Sequence, residues 1–148
     1  MRTKLAWVLG LLAAANGVFM LLATAAWYAS VPGVPNTGPF NAHFIRDIGA
    51  AFLVAGGSLV WFARDARARP AALTSAAFFT LHALVHLGDA MTGRESIYQA
   101  VRDLPTVYLG ALLALWIAWP ISSRAKEEEE RDAQVVVKAA DRRLRKRI

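Results

Sequence analysis

The chain reads as an all-α, polytopic membrane protein, an antiparallel four-helix transmembrane bundle followed by a charged tail, and three observations predict that class. First, 56% of the 148 residues are hydrophobic and only 19% are charged, against about 25% charged in ordinary soluble domains; mean hydropathy is +0.35. Second, the apolar residues fall into four runs, each close to the roughly 20 residues needed to cross the hydrocarbon core of a bilayer. Third, the basic residues collect at the chain ends and in one loop, as topology signals do, and not along one face as a nucleic-acid surface would require. The net charge of +6 therefore implies a bilayer partner and no nucleic acid.

The first span is expected at about 5–29. Leu5 to Val34 is free of charge after Arg2 and Lys4, which is too long for the roughly 7–15-residue apolar region of a cleaved signal. A retained helix is the expectation, and a signal sequence ending near Ala23-Thr24-Ala25-Ala26 is its alternative. Asn16 is the one strongly polar side chain in this span, and an interhelical hydrogen bond suits it. Ser30 to Ala42 follows with Pro32, Gly33, Pro35, Gly38 and Pro39, so it cannot continue a helix. A stiff surface loop is predicted, able to cover the start of the next helix.

The second span, 42–63, carries His43, Arg46 and Asp47 in its first turn and a half, then the small residues Gly49, Gly56 and Gly57 that let helices approach closely. Arg64, Arg67 and Arg69 make a basic loop. The third span, 71–91, holds His82, His86 and Asp89, which helical spacing stacks on one face. A short amphipathic piece through Tyr98, Arg102 and Asp103 leads to the fourth span, 104–121. From Ser122 to Ile148 the composition turns to Arg, Lys and Glu, with Ala133, Val136, Val137, Ala140, Leu144 and Ile148 at helical spacing. This predicts an amphipathic tail helix that engages the membrane surface, a membrane partner or a second copy, with a solvated, partly disordered tail as the alternative.

Lys and Arg mark the cytoplasmic side. Of the 17 basic residues, all but Arg46, Arg94 and Arg102 fall on the side of the two termini, so both termini are expected in the cytoplasm of a multi-pass cell-membrane protein. The His/Asp face then opens outward. Depth counting at 1.5 Å per residue places Asp47 level with His86, and His43 level with Asp89, across neighbouring antiparallel helices.

Ionisable groups within a span are costly, so they need a partner or a task. With no cysteine in the chain, a metal would rest on imidazole and carboxylate. The expected ligands are His43, His82, His86 and Asp89, for zinc, copper or non-haem iron, with Asp47 orienting a histidine, Arg46 at the outer rim and Asn16 near His82. Haem held by paired imidazoles is a weaker form of the same reading. The zincin pattern is absent, because Ala83 stands where a general-base Glu would follow His82. The competing function is a noncatalytic scaffold or accessory subunit whose His/Asp/Arg network is structural. Proton transfer or a bound organic ligand are further uses of the same face.

The stretch from Pro32 to Gly49, Pro-Gly-Val-Pro-Asn-Thr-Gly-Pro-Phe-Asn-Ala-His-Phe-Ile-Arg-Asp-Ile-Gly, resembles a group of small bacterial four-span membrane proteins of unknown function. The four-span architecture is also similar to that of DoxX-like proteins and, by size and span count, of anthrone-oxygenase-like proteins. The resemblance implies the fold class and brings no catalytic residue to any position of this chain.

Overall fold

The computed structural model describes residues 1–94, 96–119, 131–135 and 138, and among them no strand occurs. The helices of Met1–Ala118 follow in order: α1 (Arg2–Leu22), α2 (Thr24–Ser30), α3 (Ala42–Arg64), α4 (Arg69–Met91), α5 (Ile97–Asp103) and α6 (Leu109–Ala118), with a 3₁₀ turn at Val34–Asn36. Residues Met1–Ala118 form one compact unit and Trp119–Ile148 a second. In the second unit residues 131–135 are helical; the rest of the expected tail helix over 122–148 lies outside the described residues.

Four helices are long and apolar enough to cross a membrane: α1, α3, α4 and the continuous stretch Ile97–Ala118. At 1.5 Å per residue each is about 31–35 Å long, matching a hydrocarbon core of about 30 Å. Their outward faces carry exposed Leu11, Leu12, Val54, Leu81, Leu84 and Leu112. An apolar surface on all four helices would be a liability in water and is what a lipid-facing surface requires.

Small residues hold the unit together. A Cβ on Gly17 would lie 2.6 Å from the Gly49 carbonyl oxygen, and one on Gly56 would lie 2.5 Å from the Ala14 nitrogen and 2.6 Å from the Gly10 oxygen. The backbones of α1 and α3 therefore touch, and since Gly10 meets Gly56 while Gly17 meets Gly49, these two helices run in opposite senses. Dispersion at such close range stands in for the hydrophobic effect, which gives little between helices already surrounded by lipid. On α4, Ala72, Ala76, Phe79 and Ala83 form the buried stripe, joined in one core with Ala111, Ala114 and Ile117 of α6.

One end of the unit is fastened by arginines. The Arg2 guanidinium lies 4.9 Å from the Trp116 ring centroid and that of Arg64 lies 5.1 Å from Trp7, while Arg69 Nε donates to the Ala118 carbonyl at 3.3 Å. Each contact places a cation on an indole or a helix-terminal carbonyl, both favourable partners.

Two boundaries differ from expectation. The first span does not run unbroken from 5 to 29: it is interrupted at Ala23 (φ −130°, ψ 48°), after which α2 begins. In a straight helix Asn16 and Trp27 would stand about 16 Å apart along the axis, yet Trp27 Nε1 donates to Asn16 Oδ1 at 2.9 Å. The break folds α2 back and lets this bond close, and Thr24 Oγ1 donates to the Met20 carbonyl at 2.8 Å beside it. The fourth span begins at Ile97 and not at 104, because α5 continues through a π-helical turn, Leu104–Tyr108, into α6. Pro105 lies in that turn; it has no N–H to give a regular i→i−4 bond, and widening the helix accommodates it.

Candidate functional site

The loop after α2 is folded onto it by Tyr28. The Tyr28 hydroxyl donates to the Gly38 carbonyl at 2.8 Å, and its ring meets Phe40 edge-on at 5.3 Å. Asn41 caps α3 by accepting from the Phe44 N–H at 3.1 Å. The stiff loop predicted from its prolines is thus seated at both ends. Beneath it lies a cavity of about 1250 Å³, larger than a typical small-ligand pocket. Trp27, Phe40, Phe44, Ile45, Ile48 and Val85 supply apolar walls, and His82, His86, Asp89, Arg94, Ser96 and Gln99 supply polar lining.

Two of the three histidines come together there. His82 and His86, one turn apart on α4, have ring centroids 4.8 Å apart at 70°. His86 Nδ1 lies 2.8 Å from Asp103 Oδ2. Because an ionised carboxylate only accepts, Nδ1 carries the proton and the other ring nitrogen is the acceptor in neutral His86. Gln99 Nε2 donates to the second oxygen of Asp103 at 3.2 Å and also to the Pro32 carbonyl at 3.4 Å. A chain of hydrogen bonds therefore runs from α4 through α5 to the loop. Gly33, at φ +91°, sits against the end of the Gln99 side chain, which a Cβ there would displace; its left-handed backbone favours glycine.

His82 is surrounded by rings. Phe78 stacks on it at 5.9 Å and 8°, and Phe52 of α3 meets it edge-on at 5.4 Å. Among the described residues neither of its nitrogens has a hydrogen-bond partner.

The remaining predicted site residues go elsewhere. His43 pairs with Asp47, its neighbour one turn on, at 3.4 Å, with side chains 89% and 62% exposed; neither joins His86 or Asp89. The reason is rotation. α3 buries Ile45 and Gly49, and at 100° per residue positions 43 and 47 lie about 160° around from 45 and 49. Asp89 pairs loosely with Arg94 at 3.6 Å. Arg46 is exposed and has no ion pair among the described residues. Asn16 serves Trp27 and sits 3.6 Å from Met20 Sδ, so it does not reach His82. The four expected metal ligands are therefore not brought to one point, and among the described residues no group of three or more metal-ligating side chains is gathered.

Asp103, the acid that does meet a histidine, was expected only as part of an amphipathic lead-in. The signal that marks it is its place as the last ionisable residue before the uncharged run Leu104–Ile121. A carboxylate at that boundary needs a partner, and the stacked histidines of α4 are the nearest chemistry that supplies one. No family model, curated protein or solved structure matches the chain.

Proposed function

We propose that this chain is a multi-pass membrane protein that holds a small amphipathic organic molecule in the cavity beneath its proline-rich loop. In this reading it is an antiparallel four-helix bundle, and its charge asymmetry puts both termini in the cytoplasm and the cavity at the outer side. The observation that carries the ligand is the cavity itself: about 1250 Å³, walled by aromatic and branched side chains, with polar groups that include His82, His86 and Gln99 in its lining. That combination is the general form of a small-molecule site. Among the described residues no third metal-ligating side chain gathers with others into a group, and two imidazoles alone are a poor metal centre, which favours an organic occupant.

The scaffold reading draws on a different observation, the hydrogen-bonded chain His86–Asp103–Gln99–Pro32, which would pin α4, α5 and the loop whether or not anything binds. One experiment separates the two. Native mass spectrometry of the protein, released from its own membrane in a mild detergent, should show a small-molecule adduct. Ile48→Trp or Val85→Trp, which fill the cavity from α3 or α4, should remove the adduct while helix content by circular dichroism is kept. A wild-type protein without an adduct, or an adduct that survives both fillings, overturns the ligand reading.

A further inference from the structure

We infer that the occupant is a long-chain amphiphile drawn from the bilayer, its polar end in the cavity and its alkyl chain in a groove on the outward side of the α3–α4 seam; this rests on the ligand reading above. The groove, about 370 Å³, is lined by Ala50, Ala51, Val54 and Ala55 of α3 and by Thr74 and Phe78 of α4. Three alanines keep its α3 side shallow. The Thr74 hydroxyl is turned back on its own helix, donating to the Pro70 carbonyl at 3.0 Å, so the groove presents apolar surface on two spans whose surrounding medium is hydrocarbon.

The groove lies in line with the cavity. Phe44 of α3 and Val85 of α4 line the cavity and are exposed. Val85 also stands one turn from the exposed Leu81, so the cavity reaches the lipid-facing surface there. Seven residues forward on α3 lead from Phe44 to Ala51, and seven back on α4 lead from Val85 to Phe78, both in the groove lining. Seven residues fall within about 20° of two full turns and advance about 10.5 Å. The groove therefore continues the edge of the cavity along the same faces of both helices. Phe52 meets Phe78 edge-on at 5.0 Å and the buried Phe79 at 6.2 Å, which closes the seam toward the core and leaves the path on its lipid side.

Polar and apolar surface are divided along this line. His82, His86, Ser96 and Gln99 belong to the cavity lining, and the groove lining is alanine, valine, phenylalanine and the self-satisfied threonine. A compact ligand would use the cavity alone; a polar end carrying a chain uses both. Moving a chain from lipid into the groove gains nothing from the hydrophobic effect. Its residence there depends on packing and on the hold that the cavity has on the polar end.

Photolabelling in phosphatidylcholine nanodiscs, with a monoacylglycerol that carries a diazirine in the middle of a hexadecanoyl chain, tests this. The label should map to the groove residues of α3 and α4 and saturate with the probe's mole fraction. Unlabelled monohexadecanoylglycerol should compete, and the monohexanoyl ester at equal mole fraction in the bilayer should not. Ile48→Trp and Val85→Trp, which fill the cavity and leave the groove lining unchanged, should remove the saturable labelling, because the chain is placed through its polar end; Ala51→Phe should move the label off the groove. Groove labelling that survives both cavity fillings, or that never saturates, is ordinary boundary lipid and overturns the assignment. Equal competition by the two esters overturns it as well, as does a native adduct with no alkyl chain, and each of these leaves the cavity reading standing. Neither an adduct nor saturable labelling overturns both readings. If the filled variants do not fold, the competition in the wild type decides.

Discussion

Asp47 and Asp103 are the same side chain in opposite circumstances, and burial separates them. The Asp103 side chain is 11% exposed and lies 2.8 Å from His86, where water competes little for either group. Asp47 is 62% exposed and holds His43 at 3.4 Å, a geometry in which an exposed ion pair is worth little. Removing the first carboxylate leaves the His86 N–H and the Gln99 amide without their acceptor. Asp103→Ala should therefore cost about 1–3 kcal/mol, whereas Asp47→Ala should stay within about 0.5 kcal/mol of wild type. Thermal unfolding in one detergent, followed by circular dichroism, compares them directly, and an equal loss in the two variants would contradict the ranking. At this scale the sequence spoke only in part. The pairing of His82 with His86 was legible, because i and i+4 on a helix are fixed by its pitch. Their partner was not, because depth counting gives height along the helix and says nothing about rotation around it, so Asp47 was matched to His86 and Asp103 was left out of the site.

For the helices, rotation is set by the small residues, and that information was present in the sequence. On α3 the close-packing glycines are Gly49 and Gly56, which meet Gly17 and Gly10 of α1; a stripe defined by those two positions already turns His43 and Asp47 outward. Nothing in that stripe can grow. A methyl group on Gly17 would meet the Gly49 oxygen at 2.6 Å and the Leu53 nitrogen at 2.7 Å, both backbone atoms that cannot step aside. Gly17→Ala and Gly56→Ala should each destabilise the protein by about 1–3 kcal/mol, the cost of overpacking. Gly57→Ala on the same helix meets nothing within 4 Å, and it should be neutral or slightly stabilising through helix propensity. Unfolding of the three variants in parallel checks this, and a loss at Gly57 as large as at Gly17 would refute the assigned seam. The spans themselves were legible as apolar length. The break at Ala23 was not, because a span that folds back to satisfy Asn16 has the same hydropathy as one that runs straight. The π turn at Leu104–Tyr108 had a visible cue in Pro105, but proline alone does not distinguish an interrupted helix from a widened one.

Across the unit formed by residues 1–118, chemistry is divided between its two ends. Arg2, Arg64 and Arg69 fasten one end through indole rings and a terminal carbonyl, while the loop, the cavity and the His86–Asp103 pair occupy the other. In the proposed orientation the cationic helix ends lie on the cytoplasmic side and the opposite end, with few basic residues, faces outward. A site at that end would exchange its occupant with the outer leaflet or the space beyond it, not with the cytoplasm. Orientation can be read with unusual clarity here, because the chain contains no cysteine and any thiol introduced is the only one. Thr37 in the loop and Arg67 between α3 and α4 are both exposed, and each can be replaced by Cys without touching a buried contact. In intact cells a membrane-impermeant maleimide should label Thr37→Cys, and it should label Arg67→Cys only after the membrane is permeabilised. The reverse pattern would place the cavity on the cytoplasmic side, and labelling of both sites in intact cells would mean that the chain is not held in one orientation.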